Sequence, residues 1–334
     1  MVKQADFEAA FRLEPAALHG FTAALFEGAG CTTEGANLMA DLLVDNDLHG
    51  ASSHGTNLAH GWGYLKGMRE GTLNPRPQPR VISEDGSCRV YDGDGGVGHP
   101  VCYEAMQWAI KKAKEQGCAV CTTRNHHHFG AAVQWSRMAM KEGCIAVSCS
   151  SHRYQMDPES SIRSVNGTSP ISIAIPGGEE APLILDMGAS FGLKDEFFPE
   201  MSQAYFKDIA VGAITYALGG VVSGIYRDEV VNSKWTGSNQ GSFLVVINAN
   251  FLQPLTQLKQ EMDRFVADAE KMKPLPGHTQ AHLPGGREIA CFREYSVEGI
   301  PIGREQALGM QEEADEMGVA LPAGWKRQPT PAKL

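Results

Sequence analysis

The sequence predicts a layered α/β protein fronted by a mainly helical lobe, and three observations carry that expectation. Residues 5 to about 70 place apolar side chains at helical spacing, as in GFTAALFEGAG and EGANLMADLLVDND. From residue 87 onward, short runs rich in Val, Ile and Cys alternate with longer amphipathic ones. The Pro-rich stretch NPRPQPRV (74–81) separates the two regimes and reads as an extended connection.

The elements follow in order. Thr32 or Thr33 is suited to cap the second helix, because a threonine hydroxyl accepts an orphan amide there. SCRVYD (87–92) reads as a strand and PVCYEAMQWAIKKAKEQG (100–117) as a helix. CAVCTTR (118–124), GAAVQWSRMAMKEG (130–143) and CIAVSCS (144–150) read as strand, helix and strand. SPISIAIP (169–176) and APLILDM (181–187) continue the sheet, and a helix is expected over about 203–219. GSFLVVINA (241–249) is a strand, PLTQLKQEMDRFVADAEKM (254–272) a helix, and 303–318 a last helix. The expected organisation is a helical lobe over 1–75 completed by 300–334, with an α/β domain over 76–299 carrying a helical insertion around 200–224.

The bulk properties narrow the function. A net charge of −10, with no Lys/Arg run longer than a pair, argues against sequence-independent nucleic-acid binding, which needs a basic surface to displace counterions. A local basic pocket for a small anion remains compatible with it. No signal-like segment and no apolar run approaching 18 residues is visible, so a cytoplasmic protein without membrane contact is expected. The eight cysteines sit in apolar surroundings and read as buried small hydrophobes rather than a disulfide framework.

GDGGVG (93–98) satisfies a dinucleotide fingerprint but reads as a turn. The strand before it alternates polar and apolar residues, the next strand ends in Arg124 rather than an acid, and Pro100 removes a helix-start donor. Ser-Ser-His-Gly (52–55) lies where one helical segment gives way to another, a place from which a histidine can exchange a proton near neutral pH. A surface histidine beside a capping serine is the plainer alternative. Asn-His-His-His-Phe-Gly (125–130) follows a strand end that commonly lines a ligand site. Adjacent histidines point in different directions and no carboxylate spacing accompanies them, so no metal is expected; a site on 126–128 with His99 or His152 is the rival. Cys118 and Cys121 lie within a strand and read as packing. Asp186 ends an apolar strand as either a loop cap or a site carboxylate. NGTSP (166–170) and LPGGRE (283–288) read as turns whose amides suit a phosphate.

In their order and separations, DLHGASSHG (47–55), YDGDGGVGHP (91–100), NHHHFGAA (125–132), NGTSPI (166–171), LILDMGAS (183–190), AYFKDIAVGAITYALGGVVSG (204–224) and LPGGREI (283–289) resemble the malate/L-lactate dehydrogenase-like oxidoreductases. The resemblance implies a homodimer with its site at the subunit interface, and a mixed α/β sheet flanked by helices whose dinucleotide pocket is not of Rossmann type. It implies NAD or NADP as cofactor and a small 2-oxo acid, or a cyclic imino acid, as substrate. In those terms His54 is the proton donor with Ser53 beside it, and Asp186 also orients His54. Pro182, Leu183, Ile184, Leu185, Asp186, Met187 and Gly188, with Thr168, Phe206, Lys207, Gly285, Gly286 and Arg287, match cofactor positions. His128 and Lys207 match substrate positions.

The chain also departs from the family pattern. Leu58 stands where an arginine suited to forked carboxylate binding is usual, and His49 where a second arginine is common. The segment from Ser190 to Lys207 is shortened, and Asp208 replaces the usual glycine after the lysine. Arg124, Arg153 and Arg163 are candidate substitutes for the missing anchor. These losses motivate an alternative in which the chain is a non-catalytic relative acting in binding or assembly.

Overall fold

The structure, a computed structural model, describes residues 9–329. Its contacts divide the chain into two compact units: the described residues through Arg76 together with those from Val266 onward, and Pro77–Phe265. The stretch 266–299, expected within the α/β body, therefore groups with the helical unit.

The described part of the helical unit begins with a strand, β1 (Ala9–Leu13), inside a segment expected to be helical, whose residues 5–8 lie outside the described residues. Helices α1 (Pro15–Gly28), α2 (Thr33–Leu48), α3 (Asn57–Gly61) and α4 (Tyr64–Arg69) follow. Thr32 caps α2 as its position predicts: its hydroxyl accepts the Gly35 amide at 3.1 Å.

The α/β unit begins with β2 (Arg80–Asp85), β3 (Cys88–Asp92) and α5 (Gly98–Gln116). Next come β4 (Cys118–His126), α6 (Ala132–Lys141), β5 (Cys144–His152), β6 (Pro170–Ile175) and β7 (Leu183–Gly188). Helix α7 (Phe198–Tyr216) continues into a π-helical turn, Ala217–Val222, before the short α8 (Asp228–Val231) and β8 (Gln240–Asn248). The division falls within α9 (Leu255–Glu270). The chain then adds α10 (Gly286–Glu298), β9 (Ile300–Gly303) and α11 (Arg304–Met317) to the helical unit. There β9 pairs antiparallel with β1.

The seven strands of the α/β unit run in the order β2-β3-β4-β8-β5-β6-β7. Only β3–β4 is parallel; every other pairing is antiparallel. A doubly wound dinucleotide sheet is parallel throughout its core, so this mixed topology is not one. Ser148 and Ser172 face α6, while Ser151 and Gly241 face the π-helical turn, as the period of two requires. Gly219 permits that packing, since a Cβ there would stand 2.4 Å from the Ser150 backbone.

Two sequence expectations change. Cys88 and Cys118, which open β3 and β4, are exposed and Cys291 on α10 is half-buried; only the other five behave as core residues. The run Phe198–Val222 is long and apolar enough to cross a membrane by length and composition, and 39% of its apolar stretch is buried inside the unit.

Candidate active site

The SHG motif occupies a single 3₁₀ turn, Ser52–His54, after α2. Ser53 places its hydroxyl 3.0 Å from His54 Nδ1 and so fixes one edge of the imidazole. Burial pulls the His54 pKa below its ordinary value of 6.5, which keeps the ring neutral at physiological pH. The turn is held from below by the end of α2. Asn46 donates from Nδ2 to the His54 carbonyl at 2.9 Å, and Asp47 accepts the Thr56 amide on Oδ2 at 2.8 Å. Gln306 of α11 donates to Thr56 Oγ1 at 2.8 Å. Helix α10 packs beside the same corner, with Phe292 4.8 Å from the His49 ring. His49 itself turns Nδ1 to the Asp45 carbonyl at 2.6 Å, so it takes no anion-binding role in place of the usual arginine. Leu58 is fully buried, which removes that position from any carboxylate site.

The three adjacent histidines have three different engagements. His126 is buried, with Nε2 2.7 Å from Thr123 Oγ1 and Nδ1 2.6 Å from the His127 carbonyl. Burial pushes its pKa down to about 4, so it stays neutral across the physiological range. His127 Nδ1 faces the Gly237 carbonyl at 3.0 Å, and His128 Nδ1 accepts the Gly130 amide at 3.3 Å. No group of three metal-ligating side chains is assembled among the described residues.

The GDGGVG turn is closed against this loop. Gly93 and Gly95 donate to the carbonyls of Arg124 and Asn125 at 2.8 and 2.9 Å, and Gly98 donates to His128 at 2.9 Å. Amides committed to main-chain carbonyls are not available to a pyrophosphate, which is the physical reason the motif is a turn. Gly95 has φ +76, and a Cβ there would fall 1.9 Å from Trp235.

Asp186 lies within β7, at the edge of the sheet, not at the end of a strand as expected. Its Oδ1 accepts the Val133 amide at 3.1 Å, so it caps the first turn of α6. Pro182, Leu183 and Met187 are half-buried and Ile184 buried, whereas Leu185, Asp186 and Gly188 are exposed. Thr168 stands beside the Gly188 end of this strand, where Pro170 pairs with Gly188 and Ala189 donates to Ser169 at 2.6 Å. Thr168 has φ +63, a left-handed conformation costly for a β-branched residue. Phe206 and Lys207 are exposed on α7. Asp208, next to them, is buried and accepts the Phe191 amide at 2.6 Å, with Arg163 Nε 3.6 Å from its other oxygen. The shortened 190–207 segment is thus pinned by an aspartate at the position where the family usually has glycine.

Gly285, Gly286 and Arg287 belong to the helical unit. Gly285, with φ +111, precedes α10, and Gly286 and Arg287 open it. The expected turn is a helix N-terminus, whose amides and dipole still suit an anion. Of the candidate substitute arginines, Arg124 pairs with Glu229 at 2.9 Å and Arg153 donates to the Ile225 carbonyl at 2.8 Å. Arg163 lies over the Tyr205 ring and donates to the Leu193 carbonyl. Arg124 and Arg227 also line a cavity of about 400 Å³ with Thr122, Gly224 and Tyr226. Reading the sequence missed Asp47, Thr56 and Gln306, although one signal was present. Ala36, Ala40, Leu43 and Asp47 fall on one helical stripe, which puts a carboxylate in an apolar row.

The chain is 28% identical over 342 residues to malate dehydrogenase of Pyrococcus horikoshii, covering 90% of this chain and 94% of that protein. It superposes on a solved structure of malate dehydrogenase from that organism with a TM-score of 0.81, covering 92% of this chain and 96% of the other. It is 37% identical to L-sulfolactate dehydrogenase of Methanocaldococcus jannaschii over 150 residues, 45% of this chain and 43% of that one. It is 27% identical to an Escherichia coli O157:H7 ureidoglycolate dehydrogenase over 308 residues, covering 82% and 87% of the two. The mixed sheet and these similarities define a dehydrogenase-class enzyme outside the Rossmann frame. The profile of the malate/L-lactate dehydrogenase family matches residues 13–193, more than half of the chain, and the chain belongs to that family.

Proposed function

We propose that the protein is an NAD(P)-dependent oxidoreductase that interconverts a small 2-hydroxy acid and its 2-oxo form, or the amino and imino forms of a cyclic acid, with His54 exchanging the proton. The observation that carries this reading is the state of His54. Its Nδ1 is engaged by Ser53 and burial keeps the ring neutral, so the proton of a substrate hydroxyl passes to Nε2. In the reverse direction the imidazolium protonates the carbonyl oxygen as negative charge develops there.

A nicotinamide dinucleotide, when bound, would supply or accept the hydride. Among the proposed cofactor positions, the α/β unit offers an edge strand with exposed Asp186 and Gly188 and the strained Thr168 beside it, and the helical unit separately offers the α10 N-terminus at Gly286 and Arg287, whose amides suit an anion. Phe206 offers an exposed ring for stacking, and Lys207 an exposed cation for a carboxylate or phosphate. His128 and Lys207 are the proposed substrate contacts, since Leu58 is buried and His49 is engaged. Exposed apolar side chains along α7, including Phe198, Met201 and Ile214, support a homodimer in which a second copy covers them.

Titration with NADH and NADPH, followed by nicotinamide fluorescence, tests the reading directly; binding of neither at millimolar concentration contradicts it. A panel of 2-hydroxy acids, sulfonates and cyclic imino acids then assigns the substrate. The buried Leu58 favours a second reading, a repurposed relative without turnover. A folded His54→Ala variant that loses a measurable wild-type activity excludes it.

A further inference from the structure

Asp47 is among the most deeply buried carboxyls in the helical unit, with 2% of its surface exposed. A helix end in the core normally receives an apolar side chain, and the stripe Ala36, Ala40, Leu43 leads directly to this residue. Its Oδ2 accepts the Thr56 amide at 2.8 Å, while Oδ1 is buried against Gly55 without a donor in hydrogen-bond geometry among the described residues. The fit to Gly55 is close: a Cβ at that position would stand 2.1 Å from Oδ1. Thr56 also receives the Gln306 amide on its hydroxyl, and Asn46 holds the His54 carbonyl. Gly55 and Thr56 immediately follow His54, so these contacts fix the backbone that carries the imidazole.

We propose that Asp47 is a positioning residue for the proton exchange: its carboxyl clamps the Gly55–Thr56 backbone and so sets where the His54 ring stands. This inference rests on the assignment of His54 as the proton-exchanging group. Among the described residues, the groups that face the carboxyl are Thr56 from the turn and Gln306 from α11, beside Asn46 on its own helix; none is charged. Burial without a cation pushes the Asp47 pKa up to about 7, and the hydrogen bonds from Thr56 and Gln306 only partly oppose it. A charge-assisted bond holds the Thr56 amide more firmly than a neutral one does, so the clamp tightens as Asp47 ionises.

The test is Asp47→Asn, which keeps shape and removes the charge, compared with His54→Asn and the unmodified enzyme. The variant is expected to bind NADH within about twofold of the unmodified enzyme and to lose about 10- to 100-fold in kcat, the scale of an imidazole displaced by a fraction of an ångström to 1 Å. Its pH profile should lose the step near pH 7 and retain the lower step belonging to His54. Gln306→Met, which leaves Asp47 in place, should lose about 3- to 10-fold in kcat by loosening Thr56 and the Asp47 carboxyl that clamps it; it carries the test if Asp47→Asn does not fold. A folded Asp47→Asn enzyme with unchanged kcat and an unchanged pH profile overturns the proposal, as does a Gln306→Met enzyme with unchanged kcat if Asp47→Asn does not fold. If instead His54→Asn retains full turnover, the assignment of His54 itself falls, a different failure from that of Asp47.

Discussion

Two loops in this molecule are each tied down by a buried aspartate, and the two aspartates are treated differently. In the α/β unit, Asp208 holds the shortened 190–207 segment through the Phe191 amide and has the Arg163 guanidinium 3.6 Å away. In the helical unit, Asp47 holds the turn that bears His54 through the Thr56 amide, but among the described residues no cation accompanies it. A paired buried carboxylate is a structural rivet. One that must be buried alone costs stability, and such costs concentrate where function requires the group. The comparison separates a loop that has only to be held from a loop that has to be aimed.

Thermal melts of Asp47→Asn test that difference most strongly. Because the folded-state pKa of Asp47 is about 7 against an ordinary 3.8, ionisation opposes folding. The penalty grows as pH rises from about 4 to about 7 and is constant above. Asp47→Asn should therefore match the unmodified protein at pH 4 and exceed it at pH 8, by at most about 4 kcal/mol. A destabilised variant at pH 8 breaks the comparison. Asp208→Ala should move the opposite way, losing about 2–3 kcal/mol at pH 7 because Arg163 loses its partner and Phe191 its acceptor; chemical denaturation measures it. Thr168→Gly should have the smallest effect, gaining about 1 kcal/mol by relieving the left-handed backbone while weakening NADH binding severalfold. Calorimetry of the apo protein together with cofactor titration reads both terms. A gain in stability with unchanged binding would remove Thr168 from the cofactor site.

The alternation of strands and helices from residue 87 onward was legible because each central strand is apolar on both faces and each helix on one. The discounted glycine motif was legible too, from the polar alternation of SCRVYD, and the amides of that turn are indeed committed to the 124–128 carbonyls. The strands β1 and β9 were not, since their pairing joins residues nearly 290 positions apart and no local period announces it. Strand β2 was not read, its first two residues falling in the 74–81 connection and the rest unassigned; it follows the prolines and is exposed throughout, as an edge strand can be. Helix α10 was hidden by its Gly-Gly start, which reads as a turn until the capping conformation of Gly285 is seen. Of the candidate site, the motif residues His54, Ser53 and Asp186 stood out by chemistry and order. Asp47 showed only as a carboxylate on the apolar stripe of α2, because its clamp on the Thr56 amide appears only in three dimensions.

The pH dependence of 2-hydroxy acid oxidation by the unmodified enzyme and by His54→Asn tests the central claim most directly. The account predicts that kcat/KM falls on the acid side with a step below pH 6.5, as the half-buried imidazole protonates. It further predicts that His54→Asn loses that step together with about 1,000-fold or more of kcat, while NADH binding persists. A His54→Asn enzyme that keeps both its turnover and its acid limb would contradict it.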